Sequence, residues 1–267
     1  MKSLLAAILL FGWPVQSFAE CHWQVHGPTP LAPAYLPQGL SHDDRGVILA
    51  LYSKRNTPRV VFYRYDTTWR RLAGNPGPLR HTSGILPFGQ DHILIDYETG
   101  LIGLAHFGPN AYDLKAVFST GERRISSGFL FHDAGTDYLI VSTFGVLGRH
   151  LWFNLADLTA HRAAGGTLTA ARTTQASAFV QGNVRLQDGT VLEATNKIGA
   201  DTVNVLSFRP DRQDFGKSFS LKYPLKYIED LTVFNGRLYT TDEKDFALVS
   251  RSLLQECATQ RQVRDGS

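Results

Sequence analysis

The acids of this chain best placed for proton chemistry are Glu98, Glu193, Glu229, Asp230, Asp242 and Glu243, which border or interrupt short apolar runs. Two carboxyl groups facing each other across a sugar, one protonated and one ionised, would cleave a glycosidic bond. Glu98, Asp230 and Glu243 are therefore the candidate catalytic acids of a glycosidase- or lactonase-like hydrolase. Four of the six acids, however, crowd into one stretch between positions 229 and 243, a poor arrangement for groups that must flank a bond. Motifs for nucleophilic, zinc or phosphate chemistry (Gly-x-Ser-x-Gly, His-Glu-x-x-His, a glycine-rich phosphate loop) are missing. The nine histidines are scattered without ligand spacing. Asp230, with Glu229 and Asn196 or Asn183, offers oxygen ligands for calcium, which makes Asp230 the candidate metal residue, though with no spacing signature. No cofactor is expected, and a calcium ion at Asp230 is the alternative. A carboxylate that is structurally paired or hydrogen-bonded is the preferred reading of Asp230.

These groups must be positioned by a repeat. A strand, a polar turn and a second apolar strand recur from Gln38-Gly39, Ser83-Gly84, Ser127-Gly128, Gln181-Gly182 and Glu229-Asp230. The markers at 39, 84, 128, 182 and 230 are separated by 45, 44, 54 and 48 residues. Strand-only repeats of this length read as propeller blades. The expected fold is all-β: a single five-bladed β-propeller of four-stranded blades over residues 20–267, with the N-terminal strand near Cys21–His26 closing the last blade. The stretch from Ala156 to Ser177 accounts for the long interval as an insertion or irregular outer strand. Helical periodicity is weak throughout, and Ser252 to Thr259 is the best candidate for one short turn.

In a propeller the innermost strands line a central channel, and the loops entering them gather on one face, where ligands usually bind. The expected ligand-binding ring is Gln38, Ser83, Ser127, Gln181, Glu229 and Asp230, joined from flanking loops by His81 and Asn196. Such a rim suits a sugar, a peptide or another small polar ligand. It would equally suit a solvated surface, because loops are polar by default.

Residues 1–19 read as a signal peptide: Lys2, an apolar run from Leu4 to Trp13, and the small-x-small site Ser17-Phe18-Ala19. The run is too short to span a bilayer as a helix. The mature chain is therefore expected to be secreted or periplasmic, without membrane insertion and monomeric. In an oxidising compartment Cys21 and Cys257 would pair as a disulfide across the seam of the ring, and two free buried thiols are the alternative. The chain is 43% hydrophobic and 11% aromatic, as suits an ordered β protein. Its net charge of +3 comes without a basic stripe, so nucleic acid is not an expected partner.

Blade count, mature length and the placement of Cys21 and Cys257 resemble five-bladed propellers of the olfactomedin kind. That resemblance implies a terminal disulfide, a metal in the channel in some members, and an extracellular interaction module. The expected function is an exported, non-catalytic binding or scaffolding propeller that presents its channel face to a protein or glycan. The hydrolase is its rival.

Overall fold

The computed structural model describes residues 23–162, 164–197, 200–222 and 227–252. The leader, both cysteines and the helical turn expected beyond Ser252 lie outside the described residues. The first strand, β1 (Gln24–Pro28), finds its partner at the far end of the chain. Blade 1 is β2 (Leu36–Asp43), β3 (Gly46–Tyr52), β4 (Val60–Tyr65) and β5 (Trp69–Leu72). Blade 2 is β6 (Thr82–Phe88), β7 (Asp91–Asp96), β8 (Leu101–Phe107) and β9 (Tyr112–Ser119). Blade 3 starts with β10 (Ile125–Asp133), β11 (Thr136–Thr143) and β12 (Arg149–Asn154). The chain then forms α1 (Leu155–Ala160) and β13 (Gly166–Thr167) before β14 (Arg172–Gln175) completes the blade.

Blade 4 is β15 (Val180–Arg185), β16 (Val191–Lys197), β17 (Ala200–Arg209) and β18 (Asp214–Lys222). Blade 5 is β19 (Ile228–Phe234), β20 (Arg237–Asp242) and β21 (Ala247–Ser252), with β1 as its outer strand. The inner strands touch in a closed cycle, β2 to β6 to β10 to β15 to β19 and back to β2. The fold is thus a five-bladed β-propeller, closed as expected by the first strand.

Closure falls slightly later than Cys21–His26, with Gln24 opposite Ser250 and Val25 opposite Val249. His26 fixes this seam, bonding Ser250 Oγ at 2.7 Å and stacking on Tyr239. The long interval after blade 3 is an insertion that straps two blades together. Its β13 runs parallel to β9 of blade 2, and Arg162 reaches the buried carboxylate of Asp91, which also accepts from Lys115 at 2.8 Å. A short helix sits here, with Leu158 buried.

Each blade is covered on both faces by its neighbours, which is why β3 and β7 are buried along their whole length and show no in-out alternation. Five apolar clusters fill the five contacts between blades. Aromatic rings appear in four of them: Phe118 and Phe153, Phe62 and Phe107, Tyr63 and Tyr239, and Trp152 with Phe215. The buried part of the cluster between blades 4 and 5 is aliphatic throughout, built from residues such as Leu192, Val203, Ile228 and Leu238.

Candidate functional site

Every inner strand carries a β-bulge at its entry. The register slips between Pro37 and Leu40, Thr82 and Gly84, Ile125 and Ser127, Val180 and Gly182, and Ile228 and Leu231. Aligned on these bulges, the entry positions are Gln38, Ser83, Ser126, Gln181 and Glu229. The next positions, at the neck of the channel, are Gly39, Gly84, Ser127, Gly182 and Asp230. Blade 3 is thus shifted by one residue from its sequence marker. Ser127 stands at the neck and Ser126 at the entry, because the bulge falls directly after Ile125, which pairs with Thr143.

The neck is tight. A Cβ on Gly84 would lie 2.9 Å from Ser127 Cα, and one on Gly182 would lie 2.7 Å from Asp230 Cα. A bulge leaves backbone groups without a ladder partner, and Asp230 collects them. Its Oδ2 accepts from the N–H of Leu40 (3.0 Å) and of Ile85 (3.3 Å). Its Oδ1 accepts from the N–H of Leu231 and the hydroxyl of Ser127, both at 2.9 Å. Ser127 Oγ in turn accepts from the N–H of Asn183 at 2.9 Å. One carboxylate, only 1% exposed, therefore ties all five blades together at the axis. Two donors on each oxygen occupy its lone pairs, so the donor set is that of a hydrogen-bonded acid and does not fit a calcium ion at these oxygens. Burial pushes Asp230 up to about 7 against the pull of the four donors.

Above the neck lies the channel mouth. The register places Tyr52, Tyr97, Phe144, Asn196 and Glu243 at one equivalent position, one residue beyond the second-strand partner that precedes each bulge. Arg124, Phe179 and Tyr227 precede the inner strands of blades 3, 4 and 5 with φ of 58°, 56° and 59°. A left-handed conformation is unusual for such residues. In each, the backbone carbonyl accepts from the N–H of the equivalent rim residue: Phe144, Asn196 and Glu243 respectively. His81 makes the equivalent bond to the N–H of Tyr97 without a left-handed φ.

His81 Nε2 meets Gln38 Oε1 at 2.7 Å, and its ring stacks on Tyr52 at 3.8 Å. Tyr97 packs beside His81, Phe144 beside Tyr97, and Phe179 beside Phe144. Burial lowers His81 to about 4, so it is neutral at pH 7.

The acids of the mouth behave differently. Gln181 Nε2 donates to Glu229 Oε1 at 3.3 Å. Glu229 and Glu243 are hydrogen-bonded to each other, and burial followed by the neighbouring Glu243 raises Glu229 well above the carboxylate range. Glu243 is also raised by burial, although the bond from Glu229 and the charge of Lys54 pull it back in part. Both acids are thus shifted toward their protonated forms, Glu229 the more strongly. Asp201, also raised by burial, adds to the negative potential at Glu229.

The structure brings Gln38 to His81, and Gln181 to Glu229 and Glu243, on this face. Ser83 turns its hydroxyl onto the carbonyls of Ile95 and Ile125. Glu98 pairs with Arg59 at 2.8 Å on the rim. Of the three candidate catalytic acids, Glu98 is thus ion-paired, Asp230 is enclosed in the neck, and Glu243 pairs with Glu229. At the other end of the channel lies a feature the sequence reading missed, an open space of about 1060 Å³ lined by residues of all five blades, among them His42, Leu86, Phe129, Val184 and Leu231. Among the described residues, no helix is long and apolar enough to cross a membrane.

No protein-family model and no curated protein matches the chain. Among solved structures it is similar to one from a nidogen/laminin complex, with 16% identity, a TM-score of 0.50, and coverage of 83% of this chain and 77% of the other. It is also similar to the glutaminyl cyclase of Myxococcus xanthus, with 11% identity, a TM-score of 0.57, and coverage of 87% and 97%. At these identities the likeness is one of fold, and that fold is shared by a protein crystallised with a partner and by an enzyme.

Proposed function

We propose that this chain is an exported, non-catalytic binding propeller that takes a basic group of a protein ligand at its channel mouth. The observation that carries this reading is the buried Glu229–Glu243 pair, two acids side by side near a half-ring of Tyr52, Tyr97, Phe144 and Phe179. An ammonium or guanidinium arriving there would replace a proton of the pair, and aromatic faces favour cations. The likeness to a propeller from the nidogen/laminin complex supports protein binding as a use of the fold.

The test is calorimetric titration with the capped peptide Ala-Lys-Ala and with its norleucine counterpart. The lysine peptide is expected to bind about tenfold or more tightly, a difference of about 1.4 kcal/mol. Glu243→Gln is expected to erase that difference. Both acids are raised, so the pair is proton-rich in acid and opens to a cation as pH rises; affinity should grow from pH 5 to pH 8. Equal binding of the two peptides, or affinity that falls over that range, would sink the reading.

A catalytic reading rests on the same pair, since a carboxyl raised by burial can act as a general acid. The likeness to a glutaminyl cyclase names the trial substrate. Release of ammonia from a peptide beginning with glutamine, lost in Glu229→Gln, would put turnover in place of binding.

A further inference from the structure

The channel mouth carries both signs of charge, on opposite sides. Leu36, His81, Arg124, Phe179 and Tyr227 stand just before the paired residue at each bulge. With His81 neutral, Arg124 is the cation of that ring. Its N–H donates to the carbonyl of Tyr97 at 3.0 Å, and its carbonyl accepts from the N–H of Phe144 at 2.7 Å. It is thereby fixed over the contact of blades 2 and 3, which in a closed ring of five blades faces blade 5 across the axis. Blade 5 is the one that bears Glu229 and Glu243.

Arg124 is exposed, and among the described residues its guanidinium has no hydrogen bond or ion pair. Other arginines of the rim are matched, Arg59 to Glu98 at 2.8 Å and Arg149 to Glu122 at 2.9 Å. Tyr97 feels both sides of the mouth. Burial raises its hydroxyl, Arg124 pulls it back and Glu229 pushes it up again. Depth differs as well. Glu229 is only 4% exposed, and below it Asp230 bonds across the axis to blades 1, 2 and 3. The mouth is a well with a closed floor, an acid pair deep on one side and an exposed guanidinium on the other.

A chain end can enter a closed well, whereas a through-running chain cannot. We infer, on the reading of Glu229 and Glu243 as the seat of a cation, that the mouth takes the carboxyl-terminal lysine of a polypeptide. The ε-ammonium goes down to the acid pair. The α-carboxylate pairs with Arg124, whose planar fork matches a carboxylate at two points. Between them the apolar lysine stem lies along Tyr97, Phe144 and Phe179. Arg124 is thus the specificity residue that tells a chain end from an internal lysine.

The test is calorimetry on the full chain with acetyl-Ala-Ala-Lys and with the same peptide closed as its amide. The free carboxylate is expected to bind about tenfold more tightly, the worth of one charge-assisted hydrogen bond. Arg124→Asn removes the guanidinium and keeps a residue that tolerates the left-handed backbone found there. It should make the two peptides equal by weakening the acid alone, with the affinity of the amide and the thermal midpoint close to wild type. Equal affinity in wild type would overturn the assignment, as would a preference that survives in Arg124→Asn. Tighter binding of Lys-Ala-Ala amide, which offers an α-ammonium instead, would overturn it in favour of amino termini. Norleucine versions of both acetylated peptides separate Arg124 from the acid pair. Lysine preferred whatever the carboxyl end strikes out Arg124 and leaves the basic-group reading standing. Lysine and norleucine bound alike, or no binding at all, strikes out the acid pair as a cation seat and the carboxyl-terminal lysine with it.

Discussion

Asp230→Ala is expected to abolish cooperative folding or to lower the urea midpoint severely. The substitution strips partners from the N–H groups of Leu40, Ile85 and Leu231 and from the Ser127 hydroxyl at once. Each unserved buried donor costs about 1–3 kcal/mol, while a whole domain is stable by about 5–15 kcal/mol. Urea melts read the loss, and a midpoint within error of wild type would refute the hub. Asp230→Asn refines the test, since its Nδ2 must point at groups that are themselves donors. Asp230 has a folded pKa of about 7, raised from 3.8. A raised carboxyl contributes stability that is fully present below the unfolded value and is lost as pH rises through the folded one. The advantage of wild type over Asp230→Asn should therefore be largest near pH 4 and shrink toward pH 8. The shift over that span is on the order of 4 kcal/mol, from about three units of pKa. An advantage that grows with pH would show that the four donors outweigh burial and hold the carboxyl ionised below pH 7.

Gly182→Val should be the next most damaging change. The new Cβ would lie 2.7 Å from both Asp230 Cα and Glu229 O and 2.8 Å from Leu231 N, all of them backbone atoms of the neighbouring blade. Nothing flexible stands there to give way, so blades 4 and 5 must separate at the neck, which loosens Asp230 as well. A loss of about 3 kcal/mol or more is expected, at the upper end of overpacking costs. Gly39→Ala supplies the contrast, because its tightest contact is the Ile85 side chain at 3.0 Å, which can move. If Gly182→Val melts no earlier than Gly39→Ala, close backbone approach is not what the neck requires.

Blade count, blade order and the closing strand were legible because apolar runs and turn residues repeat, and a repeat survives small errors in any one copy. The register of blade 3 was not. Ser127-Gly128 copies the look of Ser83-Gly84, and only the pairing of Ile125 with Thr143 shows that the bulge comes one residue earlier. The same shift hid the meaning of Asp230, which stood out as a charge among glycines but whose partner Ser127 had been aligned to the entry. Glu229 and Glu243 were both visible as acids. Their pairing depends on the slip between Ile228 and Leu231, a local geometry with no residue signature. The space at the exit end was hardest to foresee, since residues of all five blades meet around it. The disulfide and the leader remain expectations of the sequence.

The closing strand also sets a clock. His26 must meet Ser250, 224 residues further along the chain. A ribosome adding about 5–20 residues per second keeps the N-terminal strand waiting for roughly 10–45 s before its partner exists. During that interval the four completed blades form an arc with two open ends. Whatever shields the newborn strand from other chains must act for as long as synthesis lasts.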